Sequence, residues 1–152
     1  METITGTFSS VADAHAAVEE LMEKGWSHES VSILTTHPHP SLAVKDAEKG
    51  AVIGGLAGLF LGLSEIAVPG VGLLLVGGWI AATLLGAGVG AAAGGVGGLL
   101  TQAGMSYAEA GPLAERVRSG DILISVRNET GDAQLARDIL SRHHATHVHD
   151  DA

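Results

Sequence analysis

The alternation of apolar and polar residues predicts a β-α-β unit at the start of the chain. Ile4–Phe8 has the pattern of a short strand, and Val31–Thr35 predicts a second one. Between them, apolar residues recur at helical spacing and form one stripe. The stripe consists of Val11, Ala14, Val18 and Leu21. Ser9 or Ser10 provides the N-cap of this helix, and Gly25 ends it.

A related pattern follows near the end of the chain. Ser106 and Glu109 form a capping box for a helix, and Gly111-Pro112 is a point where that helix breaks or restarts. Asp132 caps a further helix whose apolar residues again share one face. Those residues are Leu135, Ala136, Ile139 and Leu140. Strands are predicted before and after that helix, at Asp121–Val126 and Thr146–His149.

These elements predict an α+β fold. When residues 46–104 are set aside, the remainder gives β-α-β followed by β-α-β, the split repeat of a ferredoxin-like domain. We therefore predict one discontinuous domain, formed by residues 1–45 and 105–152. The strand order of that topology is 4-1-3-2, so the chain leaves the sheet and re-enters it at the same end. Residues 46–104 are then an inserted hairpin whose two ends lie on one side.

The inserted residues are apolar and unusually rich in glycine. Of the 22 glycines in the chain, 17 lie in residues 50–104, and this stretch contains a single charged residue. A membrane-spanning helix needs about 20 residues. Gly50–Val68 and Val71–Gly104 have about that length or more, on either side of a Pro69-Gly70 turn. We predict an apolar hairpin of transmembrane α-helices.

Glycine recurs at every fourth residue in two runs within this hairpin. On a helix, that spacing leaves a ridge without side chains, which lets another helix approach closely. The two runs are Gly50, Gly54, Gly58 and Gly62, and Gly86, Gly90, Gly94 and Gly98. We predict that these ridges pack on each other within the hairpin, or on another copy of the chain.

Glu65 is the one ionisable residue in the inserted stretch. A carboxylate within a membrane is costly and often functional, so Glu65 could be a proton or ion site. The alternative places Glu65 at the far membrane interface, beside the Pro69-Gly70 turn, where water reaches it. Its position next to the turn favours this second interpretation.

The composition argues against several classes of function. The formal net charge is −9 and only eight residues are Lys or Arg, so a nucleic-acid partner is not predicted. The chain has no cysteine, which excludes disulfides, thiolate metal sites and a cysteine nucleophile. No nucleophile–base arrangement or phosphate-binding glycine motif occurs, so neither an enzyme nor a cofactor is predicted. The N-terminus is neither basic nor apolar enough for a cleaved signal peptide, which favours a cytosolic domain.

Histidines near the C-terminus are a candidate metal site. Imidazole suits Zn²⁺, Ni²⁺, Cu²⁺ and Co²⁺, and the spacing H-H-x-x-H-x-H could chelate locally. The candidate ligands are His143, His144, His147 and His149. The alternative is a solvated histidine-rich tail. Alternation with Val148 places His147 and His149 on the face of the last strand opposite the core.

Several short blocks resemble a known family. They are Gly6-Thr-Phe-Ser9 with Ala14, Ala17, Leu21 and Gly25, then Val31-Ser-Ile33, Val68-Pro-Gly-Val-Gly72 and Gly120-Asp-Ile-Leu-Ile-Ser-Val126. In these blocks the chain resembles the bacterial general-stress and low-temperature-induced protein family. The resemblance covers nearly the whole chain and implies a stress-associated, membrane-inserted protein without established catalytic residues. The histidine-rich tail is not part of that pattern.

We therefore predict a non-enzymatic protein of the inner membrane with both termini in the cytosol. Its partners are the lipid bilayer and other copies of itself, and its role is structural or membrane-protective. Two alternatives stay open. One is a soluble cytoplasmic homo-oligomer, a shell or tube whose hairpins pack together. The other is a small ion- or metal-handling module that binds a divalent metal or an ion through the histidines or Glu65.

Overall fold

The computed structural model describes residues 2–35, 64–68, 72–80, 95–102, 104–129 and 132–151. Six strands and four helices lie in these residues, which confirms the predicted α+β class. The strands are β1 (Thr3–Phe8), β2 (Val31–Thr35), β3 (Ser64–Val68), β4 (Gly72–Gly77), β5 (Ile122–Arg127) and β6 (Thr146–Asp151). The helices are α1 (Val11–Glu23), α2 (Gly95–Gln102), α3 (Tyr107–Arg118) and α4 (Ala133–Arg142).

The strands form one antiparallel sheet in the order β3-β4-β2-β5-β1-β6. β5 and β1 are neighbouring interior strands and pair in unbroken register along their whole length. β2 lies on the other side of β5, and β6 pairs with β1 through a register shift between Thr5 and Thr7. β3 pairs with β4, and β4 joins them to β2. β3 and β6 are thus the two outer strands of the described sheet.

One face of the sheet packs against α1 and α4. The buried strand residues in this cluster are Ile4, Phe8, Val31, Ile33, Ile122, Ile124 and Val126. The two helices contribute Ala14, Ala17, Val18, Leu21, Ala136, Ile139 and Leu140. The apolar stripes predicted for both helices are therefore confirmed, although Val11 and Leu135 at their edges are only partly buried.

The predicted helix ends are also confirmed. The Ser10 hydroxyl caps α1 by accepting a hydrogen bond from the Asp13 N–H at 3.4 Å. The Asp132 carboxylate caps α4 by accepting one from the Leu135 N–H at 3.0 Å. Gly25 follows α1 with a φ of +107°, a left-handed conformation that glycine adopts without strain.

The other face packs against α2 and α3, so helices cover both sides of the sheet. A second cluster joins Leu34 and Leu123 of the sheet to apolar residues of these helices. The helix residues are Val96, Leu99, Leu100, Ala110, Leu113, Ala114 and Val117. Val76, Trp79 and Ile80 belong to the same cluster, and each is at most 5% exposed. Part of the apolar stretch 46–104 therefore forms the core of the domain.

The helical prediction for the insert is wrong at Ser64–Val68 and Gly72–Gly77. These residues form β3 and β4, which pair with each other in unbroken register. A short apolar run bounded by proline or glycine has no periodicity that separates a buried strand from a helix. Backbone pairing determines that these residues form strands, because residues 75–77 of β4 pair with β2. The two predicted helices of the hairpin therefore do not have the predicted boundaries.

α3 runs through Gly111 and Pro112 without a break, so the predicted interruption there is wrong. The carbonyl that loses its partner at Pro112 belongs to Ala108, which is exposed, so water can satisfy it. The predicted capping box of Ser106 and Glu109 is present. The Ser106 N–H donates a hydrogen bond to Glu109 Oε2 at 3.3 Å.

Several predicted features lie outside the described residues. They are the Pro69-Gly70 turn and the glycines Gly50, Gly54, Gly58, Gly62, Gly86, Gly90 and Gly94. Gly98, the last residue of the second glycine run, lies in α2. In the part of the chain that the structure describes, no helix has the length and apolar character needed to cross a membrane.

Candidate functional site

The four candidate histidines do not converge on one point. His143 and His144 follow α4 and contact acidic residues of α1, whereas His147 and His149 lie in β6 and contact α3. Because α1 and α3 pack on opposite faces of the sheet, the sheet separates the two pairs. Among the described residues, no three His, Asp or Glu side chains are grouped to hold a metal ion. The predicted metal site therefore has no ligand group in this part of the chain.

The first histidine pair belongs to a cluster that we call the α1–α4 clamp: Asp13, Glu20, Arg142, His143 and His144. Glu20 accepts hydrogen bonds from Arg142 Nη1 at 2.5 Å and from His143 Nε2 at 2.6 Å. The hydrogen bond from His143 holds the pKa of Glu20 below its ordinary value; partial burial opposes this effect, and the charge of Arg142 adds to it. His144 Nδ1 lies 3.5 Å from Asp13 Oδ1. The clamp fastens the end of α4 to α1.

The second pair belongs to a cluster that we call the α3–β6 clamp: Glu109, Arg116, His147 and His149. His149 Nε2 contacts Glu109 Oε1, and His147 Nε2 lies 2.5 Å from Arg116 Nη2. The other oxygen of Glu109 accepts the Ser106 N–H, so one carboxylate both caps α3 and contacts β6. His147 has a φ of +52°, and it lies where the β1–β6 register shifts. The clamp fastens this irregular strand to α3.

A row of buried hydroxyl groups crosses the sheet and leads to His149. Ser32 lies opposite Ser125, Ser125 opposite Thr5, and Thr5 opposite His149. The Thr5 and Ser125 hydroxyls are 3.1 Å apart, and Ser32 Oγ donates to the Gly77 carbonyl at 2.6 Å. The three hydroxyl residues are at most 3% exposed, so a substrate in solvent cannot reach them. This hydroxyl row joins strands and does not present a nucleophile.

Trp79 connects the inserted stretch to the middle of the sheet. Its indole Nε1 donates a hydrogen bond to the Ser125 carbonyl at 3.3 Å. The Arg127 guanidinium carbon lies 4.9 Å from the centroid of the Trp79 ring, within the range of a cation–π contact. These contacts fix the residues after β4 against β5.

Sequence reasoning missed the hydroxyl row and the second helical layer. Polar residues that alternate with apolar ones along a strand ordinarily face solvent, but α2 and α3 cover this face. One signal could have revealed the second layer. Leu123 lies between Ile122 and Ile124, and such a continuous apolar run is typical of a strand that is buried on both faces.

Close packing between helices occurs at Gly97, one residue before the predicted Gly98. A Cβ at Gly97 would lie 3.9 Å from Ala114 Cβ, an ordinary van der Waals contact, so α2 and α3 meet here through small residues. Glu65 lies in β3 opposite Leu75. Its membrane role and the packing of the glycine ridges stay predictions.

No family model, curated protein or solved structure matches the chain. The resemblance to the general-stress family therefore stays an expectation. What the residues themselves define is an α+β domain with helices on both sheet faces and a histidine-containing clamp on each face.

Proposed function

We propose that the protein is a non-enzymatic, membrane-associated protein that self-associates and has a structural or protective role at the cytosolic face of the inner membrane. The observation that carries the proposal is a pair of uncharged apolar segments, residues 50–63 and 81–94. The first segment precedes β3, and the second precedes α2. Glycine recurs at every fourth residue in both. The stress association rests on the family resemblance alone.

The strand order supports a ferredoxin-like arrangement for the domain. Of the six described strands, β6, β1, β5 and β2 are neighbours in that order. They are the strands predicted from residues 1–45 and 105–152, and their order corresponds to the predicted 4-1-3-2. β3, β4, α2 and α3 are additions to that pattern. We infer that the two apolar segments are insertions into a split β-α-β repeat.

The two strands between which the first apolar segment lies in the chain, β2 and β3, support a hairpin. β2 ends at Thr35, opposite Leu75 of β4, and β3 begins at Ser64, opposite Val76. Thr35 and Ser64 are thus one residue apart along the strand direction. Across the sheet they are two strand spacings apart, a distance of about 10 Å. A loop that starts and ends so close together leaves both of its ends on the same side of a membrane.

The length of the apolar segments favours insertion into one leaflet over a complete crossing. Each has 14 residues. As a helix, such a segment would be about 21 Å long, against about 30 Å for the hydrocarbon core of a bilayer. Apolar runs of about 10–14 residues are typical of re-entrant or interfacial segments and of buried core helices. Partial insertion also keeps both termini on the cytosolic side.

The same length supports a second candidate, a soluble cytoplasmic homo-oligomer whose apolar segments bury against each other. Gly97 and Ala114 favour it, because they are an example within this chain of two helices that meet through small residues. In that case the apolar segments would contact other copies of themselves and no lipid.

Fractionation of cells that produce the protein separates the two candidates. We expect the protein to pellet with membranes and to stay in the pellet after an alkaline carbonate wash, because apolar insertion does not depend on charge. Release into the supernatant, with elution as a discrete particle in the absence of detergent, would contradict the membrane proposal and support the soluble assembly.

A further inference from the structure

The two outer strands of the sheet, β6 and β3, differ in how well they are protected from pairing with another chain. β6 carries two histidines and two aspartates among six residues, and it contains a register shift. Charges and bulges of this kind protect a sheet edge from pairing with another chain. β3, with the sequence Ser-Glu-Ile-Ala-Val, has one charged residue and an unbroken register. Within the described sheet its outer edge has no strand partner, so β3 is the edge suited to accept one.

We propose that β3 pairs with β3 of a second copy of this chain, so that two sheets join across a two-fold axis. The inference rests on the self-association in the proposed function and names the surface that mediates it. Main-chain hydrogen bonds between the two edges would extend each six-stranded sheet into its partner. A two-fold axis uses the same strand from both copies, and the pairing therefore closes at a dimer.

The sequence of β3 is self-complementary in one antiparallel register. When Ile66 lies opposite Ile66 of the second copy, all five residues pair and each Glu65 lies opposite an Ala67. Centring the pair on Glu65 would instead set two carboxylates opposite each other and leave only three residues paired. Like charges in directly opposite positions destabilise an antiparallel pair. The register centred on Ile66 is therefore the one that we propose.

The same register brings the first apolar segments of the two copies together. Ser64 directly follows residues 50–63 in the chain. In the proposed pair the two Ser64 residues are four positions apart along the strands, or about 14 Å at 3.4 Å per residue. The first glycine run of each copy, Gly50 to Gly62, would then end close to that of the other copy, and small residues at helical spacing allow close approach in a membrane.

Single-cysteine variants test this pairing cleanly, because the chain has no cysteine of its own. The Ile66→Cys chain should form a disulfide-linked homodimer on mild oxidation. Directly opposed residues of antiparallel strands have Cα atoms about 4.5–5.5 Å apart, a distance that a disulfide can bridge. Glu65→Cys and Ala67→Cys should cross-link weakly alone and strongly when mixed. Thr146→Cys, on the protected edge β6, is the matched control and should form no disulfide-linked dimer.

Ile66→Lys provides an independent test, because it sets two positive charges opposite each other. It should convert the dimer to a monomer in sedimentation velocity, and far-ultraviolet circular dichroism of the variant checks that the chain is still folded. An oligomeric protein whose Ile66→Cys variant yields no more dimer than Thr146→Cys would overturn the β3 pairing and leave self-association standing. A protein that is monomeric by sedimentation would contradict both proposals.

Discussion

Glu20 joins two helices that are distant in the sequence. It lies in α1, and its partners Arg142 and His143 follow 122 and 123 residues later. The Glu20 side chain is 18% exposed, so solvent screens its contacts only in part. Since the hydrogen bond from His143 stabilises the charged form of Glu20, the contact links the stability of the domain to pH.

Replacing Glu20 with Gln should lower the free energy of unfolding near neutral pH by about 1 kcal/mol or less, the usual size for a partly exposed ion pair. The pKa of Glu20 in the folded chain lies below its ordinary value of 4.5. The contribution is therefore fully present above that value and is lost as the pH falls through the lowered folded-state pKa. Urea denaturation of both proteins across this pH range measures the difference.

Glu23→Gln is the control for this prediction. Glu23 lies in the same helix and is exposed, so its replacement should change stability little at any pH. A difference between wild type and Glu20→Gln that persists unchanged after Glu20 has become protonated would contradict the proposed role of its charge.

At the scale of elements, the contact between β4 and β2 explains why part of the inserted stretch is strand. Gly78 follows β4 with a φ of +78°. A Cβ there would clash with the Val31 carbonyl oxygen and lie 2.7 Å from Ser32 Cα. Both are backbone atoms of the β2 region and cannot rotate away. This close approach exists only if β4 lies alongside β2.

Gly78→Ala should therefore destabilise the domain by about 3 kcal/mol or more, because strain at positive φ adds to the clash. Gly111→Ala is the matched control, since a Cβ at that exposed position of α3 meets no atom within 4 Å. It should stabilise the domain by up to about 1 kcal/mol, because alanine favours helix more than glycine does. Thermal unfolding compares the three proteins. Equal stability of Gly78→Ala and wild type would contradict the β2–β4 pairing.

An element could be predicted from the sequence where its cap residues and its apolar periodicity indicate the same structure. α1 has Ser10 before its apolar stripe and Gly25 after it, and the structure has the helix between those two residues. β3 and β4 lacked such agreement. Their short apolar runs suit either a strand or a buried helix. The deciding hydrogen bonds join β4 to β2, a strand distant in sequence, and β3 then pairs with β4.

At the scale of the whole molecule, the candidate site depended on which strands lie side by side. Ser32, Ser125 and Thr5 become neighbours only in the order β2-β5-β1. His149 was predicted on the face opposite the core, and it does contact α3. That this face is itself covered was not predicted, because α2, which packs on it together with α3, lies in the insert, and the apolar composition of the insert favoured a membrane.

The net charge of −9 also bears on how the molecule could bind lipid. An acidic chain gains little from anionic headgroups, so binding through residues 50–63 and 81–94 should be apolar and insensitive to salt. Phe60 lies within the first apolar segment, whereas Tyr107 is 86% exposed on α3. Phe60→Glu and Tyr107→Glu therefore make a matched pair that places the same charge inside and outside the proposed lipid contact.

Flotation of the purified chain with neutral phosphatidylcholine vesicles tests membrane association most directly. We expect wild type and Tyr107→Glu to float with the vesicles at low and high salt. Phe60→Glu should bind about 10- to 100-fold more weakly, because a buried charge in a membrane costs about 2.5–3.5 kcal/mol at full depth and less near the interface. A wild-type chain that stays below the vesicles, or a Phe60→Glu chain that floats as well as Tyr107→Glu, would contradict the account.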